Sequence, residues 1–143
     1  ILLLPIFGIS NKAYGKMSFQ CNYAEKIDQH YDHMEASPPQ WKTKTSTVDH
    51  KFKIEIESVE GNSLDRAKIF YSDGPRFGFV RHNASYMVIV DFGEPNEDRT
   101  NVFSIFKPKK GDNSGLASSF IKTTHSMFFP TLWSWTGKCR STN

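Results

Sequence analysis

The sequence lacks most of the features that point directly to a function. It has two cysteines among 143 residues, Cys21 and Cys139, so four thiolates cannot bind a zinc ion. No apolar run reaches the roughly 20 residues that a membrane-spanning helix needs. The P-loop, the dinucleotide-binding glycine pattern, HExxH and GxSxG are all absent. These absences argue against nucleotide-binding, zinc-protease and serine-hydrolase motifs, and we expect no cofactor, no metal ion and no membrane contact.

Charge and aromatic content leave several function classes open. The formal net charge is +3, which permits an anionic partner without requiring one. Aromatic residues make up 14% of the chain and include 12 Phe, enough for a β-rich core or for stacking surfaces. A chain of this length fits a single domain with one modest core.

The first thirteen residues, ILLLPIFGISNKA, have the pattern of the end of a secretory signal peptide. A short apolar run is followed by small and polar residues, and Pro5 and Gly8 argue against a buried strand. We therefore expect residues 1–13 to be a signal-peptide remnant and residues 14–143 to form the mature domain. The predicted localisation is outside the producing cell.

Secretion gives the two cysteines a simple interpretation. Cysteines near the two ends of an exported chain most simply form one disulfide, which here would join Cys21 to Cys139. Asn83-Ala84-Ser85 is an N-glycosylation sequon, and it predicts that Asn83 lies in an exposed loop.

A helix is predicted over residues 21–39. Its larger apolar side chains recur at spacings of four, four and three: Tyr23, Ile27, Tyr31 and Met34. Such spacing places them on one stripe of a helix, and Pro38 and Pro39 would end it.

The rest of the chain predicts strands. Residues 51–57 alternate apolar and charged side chains, as a half-buried antiparallel strand does. Five later segments also favour strands: 67–71, 76–80, 86–92, 101–106 and 118–124. The predicted fold class is therefore α+β, with one N-terminal helix packed on a central antiparallel β-sheet.

Five short segments, taken in order, resemble the guanyl-specific ribonucleases of fungi. They are DHKF (49–52), SYMVIV (85–90), EDRTNVF (97–103), LASSFIKTTHS (116–126) and TGKC (136–139). These secreted enzymes have one helix, an antiparallel sheet and a disulfide that joins the chain ends. FQC (19–21) just past a signal peptide, with one late cysteine, also resembles the candidate secreted effectors of powdery mildew fungi, many of which are ribonuclease-like.

The resemblance implies an incomplete set of catalytic groups. It gives His125 the role of general acid, Arg99 that of phosphate-binding cation, and His50 that of auxiliary base. The principal base of the enzymes is a glutamate, and Met87 stands at its position, where a thioether cannot accept the proton. We therefore expect a pseudo-ribonuclease with vestigial site residues. The alternative is an active endoribonuclease that uses His50, Arg99 and His125.

Other interpretations of these residues stay open. His125 beside apolar neighbours also fits a hydrogen-bonded core or rim histidine. Five cations could together bind single-stranded RNA through its phosphates, although a charged hairpin is the simpler interpretation of the first three. They are Lys107, Lys109, Lys110, Arg76 and Arg81.

Together these expectations describe a monomeric, secreted fungal virulence effector. The resemblance implies that it reaches the cytoplasm of a plant cell, binds a host protein or RNA, and is recognised by a plant immune receptor. A different class of function is a small-ligand carrier with a lipocalin-like barrel. That rival requires a closed barrel with an apolar cavity, and the predicted early helix argues against it, since such barrels place their main helix late.

Overall fold

The computed structural model describes residues 17–32, 37–57, 65–82, 85–106, 111, 115–125 and 130–142. Within these residues, eight antiparallel strands form one closed barrel, in which each strand pairs with the next and the last pairs with the first. The strands are β1 (Met17–Asp32), β2 (Gln40–Glu57), β3 (Asp65–Tyr71), β4 (Gly74–His82), β5 (Tyr86–Asp91), β6 (Arg99–Phe106), β7 (Leu116–Thr124) and β8 (Thr131–Ser141).

The predicted α+β fold is wrong, because the described residues contain no helix and form only strands. The segment predicted as a helix over 21–39 is mostly β1, which pairs with β2 on one side and β8 on the other. The spacing of four does not mark one face of this strand, because the register of β1 shifts between Tyr23 and Glu25. Tyr23 lies opposite Gly137 on the inward face, whereas Ile27 lies opposite Ser134 on the outer face. Met34 lies outside the described residues.

The other predicted strands are confirmed as β3 to β7 and the second half of β2. Their inward side chains form one apolar core. Toward one end of the barrel this core is aliphatic, with side chains from five strands: Ile54, Ile56, Ile69, Val80, Ile89 and Ile105. Toward the other end it is aromatic. There Phe103, Phe120 and Trp135 stack across β6, β7 and β8, with ring centroids 4.2 and 4.6 Å apart.

A buried disulfide joins the two strands that close the barrel. Cys21 and Cys139 are direct cross-strand partners on β1 and β8, with Cα atoms 4.0 Å apart, and both are fully buried. The predicted disulfide is therefore confirmed. Gly137 lies two residues before Cys139 and faces Tyr23, where a Cβ would come within 2.7 Å of the Tyr23 Cα. Only glycine lets β1 and β8 approach this closely beside the register shift.

Candidate functional site

The barrel opens at one end into a cavity of about 660 Å³, a volume typical of small-molecule sites. The rings of Phe52, Phe120 and Trp135 form its apolar part. Polar and charged side chains line the remainder, among them Arg99 and Lys122. The cavity therefore combines flat aromatic surfaces and charged groups in one place.

Strands β6 and β7 supply much of the polar wall through simple alternation. Arg99, Asn101 and Phe103 point to the inside of the barrel from successive odd positions of β6. On β7, Phe120 and Lys122 do the same, and the register sets Lys122 opposite Asn101. The inward side chains of both strands thus change from apolar to polar toward the open end.

Lysine side chains lie over the tryptophans of β8. Lys122 Nζ is 5.3 Å from the centre of the Trp133 ring, and Lys26 Nζ is 5.4 Å from that of Trp135. Burial lowers the pKa of Lys122 below its ordinary value, and the Arg99 cation lowers it further. Among the described residues no carboxylate forms an ion pair with Lys122. Glu97 and Asp73 offset part of the nearby positive charge, and an anion in the cavity would pair with Lys122 directly.

Arg99 is held from one side and leaves one nitrogen without a partner. Its Nε donates to Glu97 Oε2 at 2.9 Å, while its buried Nη2 has no hydrogen-bond acceptor. Glu97 also accepts both hydrogen bonds of Arg76 Nη1, at 2.9 and 3.0 Å. A hydrogen bond from the backbone N–H of Glu94, together with Arg76 and Arg99, lowers the pKa of Glu97. Arg99 is thus oriented by an ionised carboxylate, and its free Nη2 can bind a second acceptor.

A buried polar network stands behind Arg99. Tyr71 Oη donates to Asp91 Oδ2 at 2.9 Å, and Asn101 Nδ2 donates to the same oxygen at 3.0 Å. The backbone N–H of Gly93 donates to Asp91 Oδ1 at 2.7 Å. Burial and the charge of Asp91 raise the pKa of Tyr71, so its hydroxyl stays protonated. Asn101 Oδ1 is buried and has no partner.

His50 lies at the rim of the cavity against aromatic rings. Its ring stacks on Trp135 at a centroid distance of 5.7 Å and meets Phe52 edge-on at 4.4 Å. Burial lowers the pKa of His50 below its usual value, and the nearby Lys26 cation lowers it further. The neutral imidazole is therefore the form that the folded protein favours.

Stability should fall on acidification because of His50. The unfolded chain takes up this proton near pH 6.5, whereas the folded protein does so only at lower pH. The free energy of unfolding is thus highest above about pH 6.5 and decreases as the pH falls through the lower pKa of the folded state. Urea unfolding between pH 5 and 8 measures this. A His50→Gln variant should show a smaller decrease, and an unaltered profile would contradict the assignment.

The structure does not bring the three predicted ribonuclease residues to one site. His50 and Arg99 line the same cavity, but His125 does not. The His125 ring is exposed, and its Nε2 hydrogen-bonds Thr100 Oγ1 at 2.9 Å, on the face of β6 opposite Arg99. Met87 packs against the core opposite Ile105, away from the cavity. The match of Met87 to a ribonuclease glutamate therefore remains a prediction.

The predicted RNA-binding cations are only partly described. Arg76 points inward and forms ion pairs with Glu97 and Asp73, while Arg81 lies on the outside of β4. These two arginines therefore face opposite sides of the wall. Lys107, Lys109 and Lys110 lie outside the described residues, as do the sequon residue Asn83 and the predicted signal-peptide remnant 1–13. RNA binding remains a prediction.

A second apolar feature lies on the outside of β4 and β5. Phe79, Tyr86 and Phe92 line a groove of about 400 Å³, with Arg81 beside them. The exposed fraction of Phe92 is 61%, and that of nearby Phe77 is 67%. The sequence predicted a strand over 86–92 and did not indicate this apolar outward face.

Within the part of the chain that the structure describes, no three His, Cys, Asp or Glu side chains are grouped so that they could hold a metal ion. The same residues include no helix long and apolar enough to cross a membrane. No family model matches the chain, and neither does any curated protein or solved structure. The resemblance to mildew effectors thus remains a prediction.

Proposed function

We propose that the protein binds a small organic anion with a flat apolar body in the open end of its barrel. The observation that carries this proposal is the buried, partnerless Nη2 of Arg99 next to an aromatic surface. A buried donor without an acceptor costs about 1–3 kcal/mol, and more when the group is charged. A bound carboxylate, sulfonate or similar group removes that cost and also offsets the charge of Lys122.

The aromatic surface favours a planar ligand body. Phe120 lies between Phe103 and Trp135 in a continuous stack, with interplanar angles of 3° and 13°. The edge of this stack reaches the cavity through Phe120 and Trp135. Because His50 already stacks on Trp135, a ligand ring would pack against the edges of Phe120 and Trp135, and each aromatic pair contributes about 0.5–1.5 kcal/mol beyond the area buried.

Fluorescence titration with the anionic dye 1-anilinonaphthalene-8-sulfonate tests the proposal. We expect saturable binding of one dye per native chain, with quenching of tryptophan emission because Trp135 lines the cavity. Arg99→Met and Lys122→Met should each weaken binding about tenfold or more, since each removes a charge-assisted contact. Lys138→Met is the matched control, because Lys138 is exposed on β8 outside the barrel. Equal affinity in all three variants, or no saturable binding, would contradict the proposal.

We also propose that the protein is a secreted effector. In this proposal it binds a plant protein or RNA, or is recognised by a plant immune receptor. The disulfide supports an oxidising folding compartment, whereas the all-β barrel lends no support to the predicted α+β ribonuclease-like scaffold.

We propose binding without RNA cleavage, because His125 lies apart from the cavity that contains His50 and Arg99. Total RNA incubated with the purified protein at neutral pH should stay intact. Cleavage that disappears in a His125→Ala variant would instead establish the active-ribonuclease alternative.

A further inference from the structure

The side-chain oxygen of Asn101 is a second unsatisfied group in the wall of the cavity. Asn101 is fully buried in the described structure and lines the cavity. Its Nδ2 donates both to Asp91 Oδ2 at 3.0 Å and to Tyr71 Oη at 3.2 Å, whereas its Oδ1 has no partner. The amide therefore lacks a donor for its oxygen, and such a group is costly to leave unpaired.

The neighbouring groups fix which way this amide points. The carboxylate of Asp91 can only accept hydrogen bonds, and Tyr71 uses its one hydroxyl proton on Asp91. Rotating the Asn101 amide by half a turn would set its oxygen against the Asp91 carboxylate and against a hydroxyl with no proton left to donate. The unpaired atom of Asn101 is thus an acceptor.

Arg99 and Asn101 are neighbours in the cavity wall, and one has an unpaired hydrogen-bond donor while the other has an unpaired acceptor. They lie two residues apart on the inward face of β6, a spacing of about 7 Å between Cα atoms. Arg99 Nη2 needs an acceptor and Asn101 Oδ1 needs a donor, and neither atom has a partner. A ligand satisfies both when an anionic group and a hydrogen-bond donor are close neighbours within it.

A ligand could donate to Asn101 Oδ1 from an ammonium group or from a hydroxyl group, and the charge of the cavity favours the hydroxyl. An ammonium group would lie beside Arg99 and Lys122, whose like charges repel it, and Asp73, a carboxylate that also lines the cavity, is already paired with Arg76. A hydroxyl donates the same hydrogen bond without that repulsion. Building on the proposed function, we infer that the ligand is an aromatic hydroxy acid whose hydroxyl donates to Asn101 Oδ1 while its carboxylate accepts from Arg99.

Three probes of one skeleton test this inference by displacement of the dye: 3-phenylpropanoate, 3-phenyllactate and phenylalanine. They carry at the carbon next to the carboxylate a hydrogen, a hydroxyl and an ammonium group. We expect 3-phenyllactate to bind about tenfold more tightly than 3-phenylpropanoate, and phenylalanine to bind more weakly than 3-phenyllactate. One enantiomer of 3-phenyllactate should bind better than the other, because Arg99 and Asn101 together fix two of its groups.

Equal binding of 3-phenyllactate and 3-phenylpropanoate by the native protein would overturn the inference and leave the proposed function intact. Failure of the dye and of every probe to bind would overturn both. In an Asn101→Ala variant the ratio of the two affinities, 3-phenyllactate over 3-phenylpropanoate, should fall toward one. If that variant does not fold, the comparison in the native protein still decides.

Discussion

A Cys21→Ala/Cys139→Ala double variant should lose about 4–5 kcal/mol of its free energy of unfolding. The two cysteines are 118 residues apart, so the disulfide removes a large amount of chain entropy from the unfolded state. It also joins β1 to β8, the pair whose contact turns an open sheet into a closed barrel. A marginally stable domain would be largely unfolded after a loss of this size.

Guanidinium unfolding followed by tryptophan fluorescence measures this effect. The reduced native sequence is the matched control, because it lacks the bond and keeps both side chains. We expect the reduced protein and the double variant to unfold at similar denaturant concentrations, well below the oxidised protein. A double variant within about 1 kcal/mol of the oxidised protein would mean that strand pairing alone secures the closure.

Period-two patterning made most of the barrel predictable. The alternation of β2 is plain from Phe52 to Ile56, and β3 to β7 were placed for the same reason. The first strand was not, because its apolar residues are four apart and its register shifts beside Tyr23, and the last strand, β8, was not predicted either. The order in which the strands pair could not be predicted either, because neither strand length nor alternation shows that β8 pairs with β1. Only the two cysteines indicated that the two ends of the chain lie together, and the prediction placed them in an α+β fold instead of a barrel.

The binding site was predictable only in part. The sequence indicated His50 and Arg99, and both line the cavity. They were predicted as ribonuclease residues together with His125, which does not line it. It missed Asn101 and Lys122. Both occupy inward positions in strands whose other inward residues are mostly apolar, and a polar residue in such a position is a usable signal of a lined cavity. The hydroxyl of Tyr71 on β3 donates to Asp91 on β5, a tertiary contact that no local pattern contains.

Replacing Asp91 by alanine should have the second largest effect, a loss of about 3 kcal/mol or more of the free energy of unfolding. Asp91 is 2% exposed and accepts hydrogen bonds from Tyr71, Asn101 and the backbone of Gly93. Its removal leaves the Tyr71 hydroxyl and the Gly93 N–H without this acceptor and takes away one of the two acceptors of Asn101 Nδ2. Asp49→Ala is the matched control, because Asp49 is an exposed partner of Lys51 and such surface pairs contribute at most about 1 kcal/mol. Urea unfolding of both variants measures the difference, and equal losses would contradict the role of the network.

The same Asp91 variant links the stability of the barrel to ligand choice. Asp91 itself does not line the cavity, so its loss removes no direct contact with a ligand there. It does remove the carboxylate that orients the Asn101 amide, which is then free to present either its oxygen or its nitrogen. At a temperature where the variant is folded, 3-phenylpropanoate should therefore bind with nearly unchanged affinity, while the advantage of 3-phenyllactate should fall toward one. A preference that survives in the Asp91 variant would show that the amide is oriented by something other than this carboxylate.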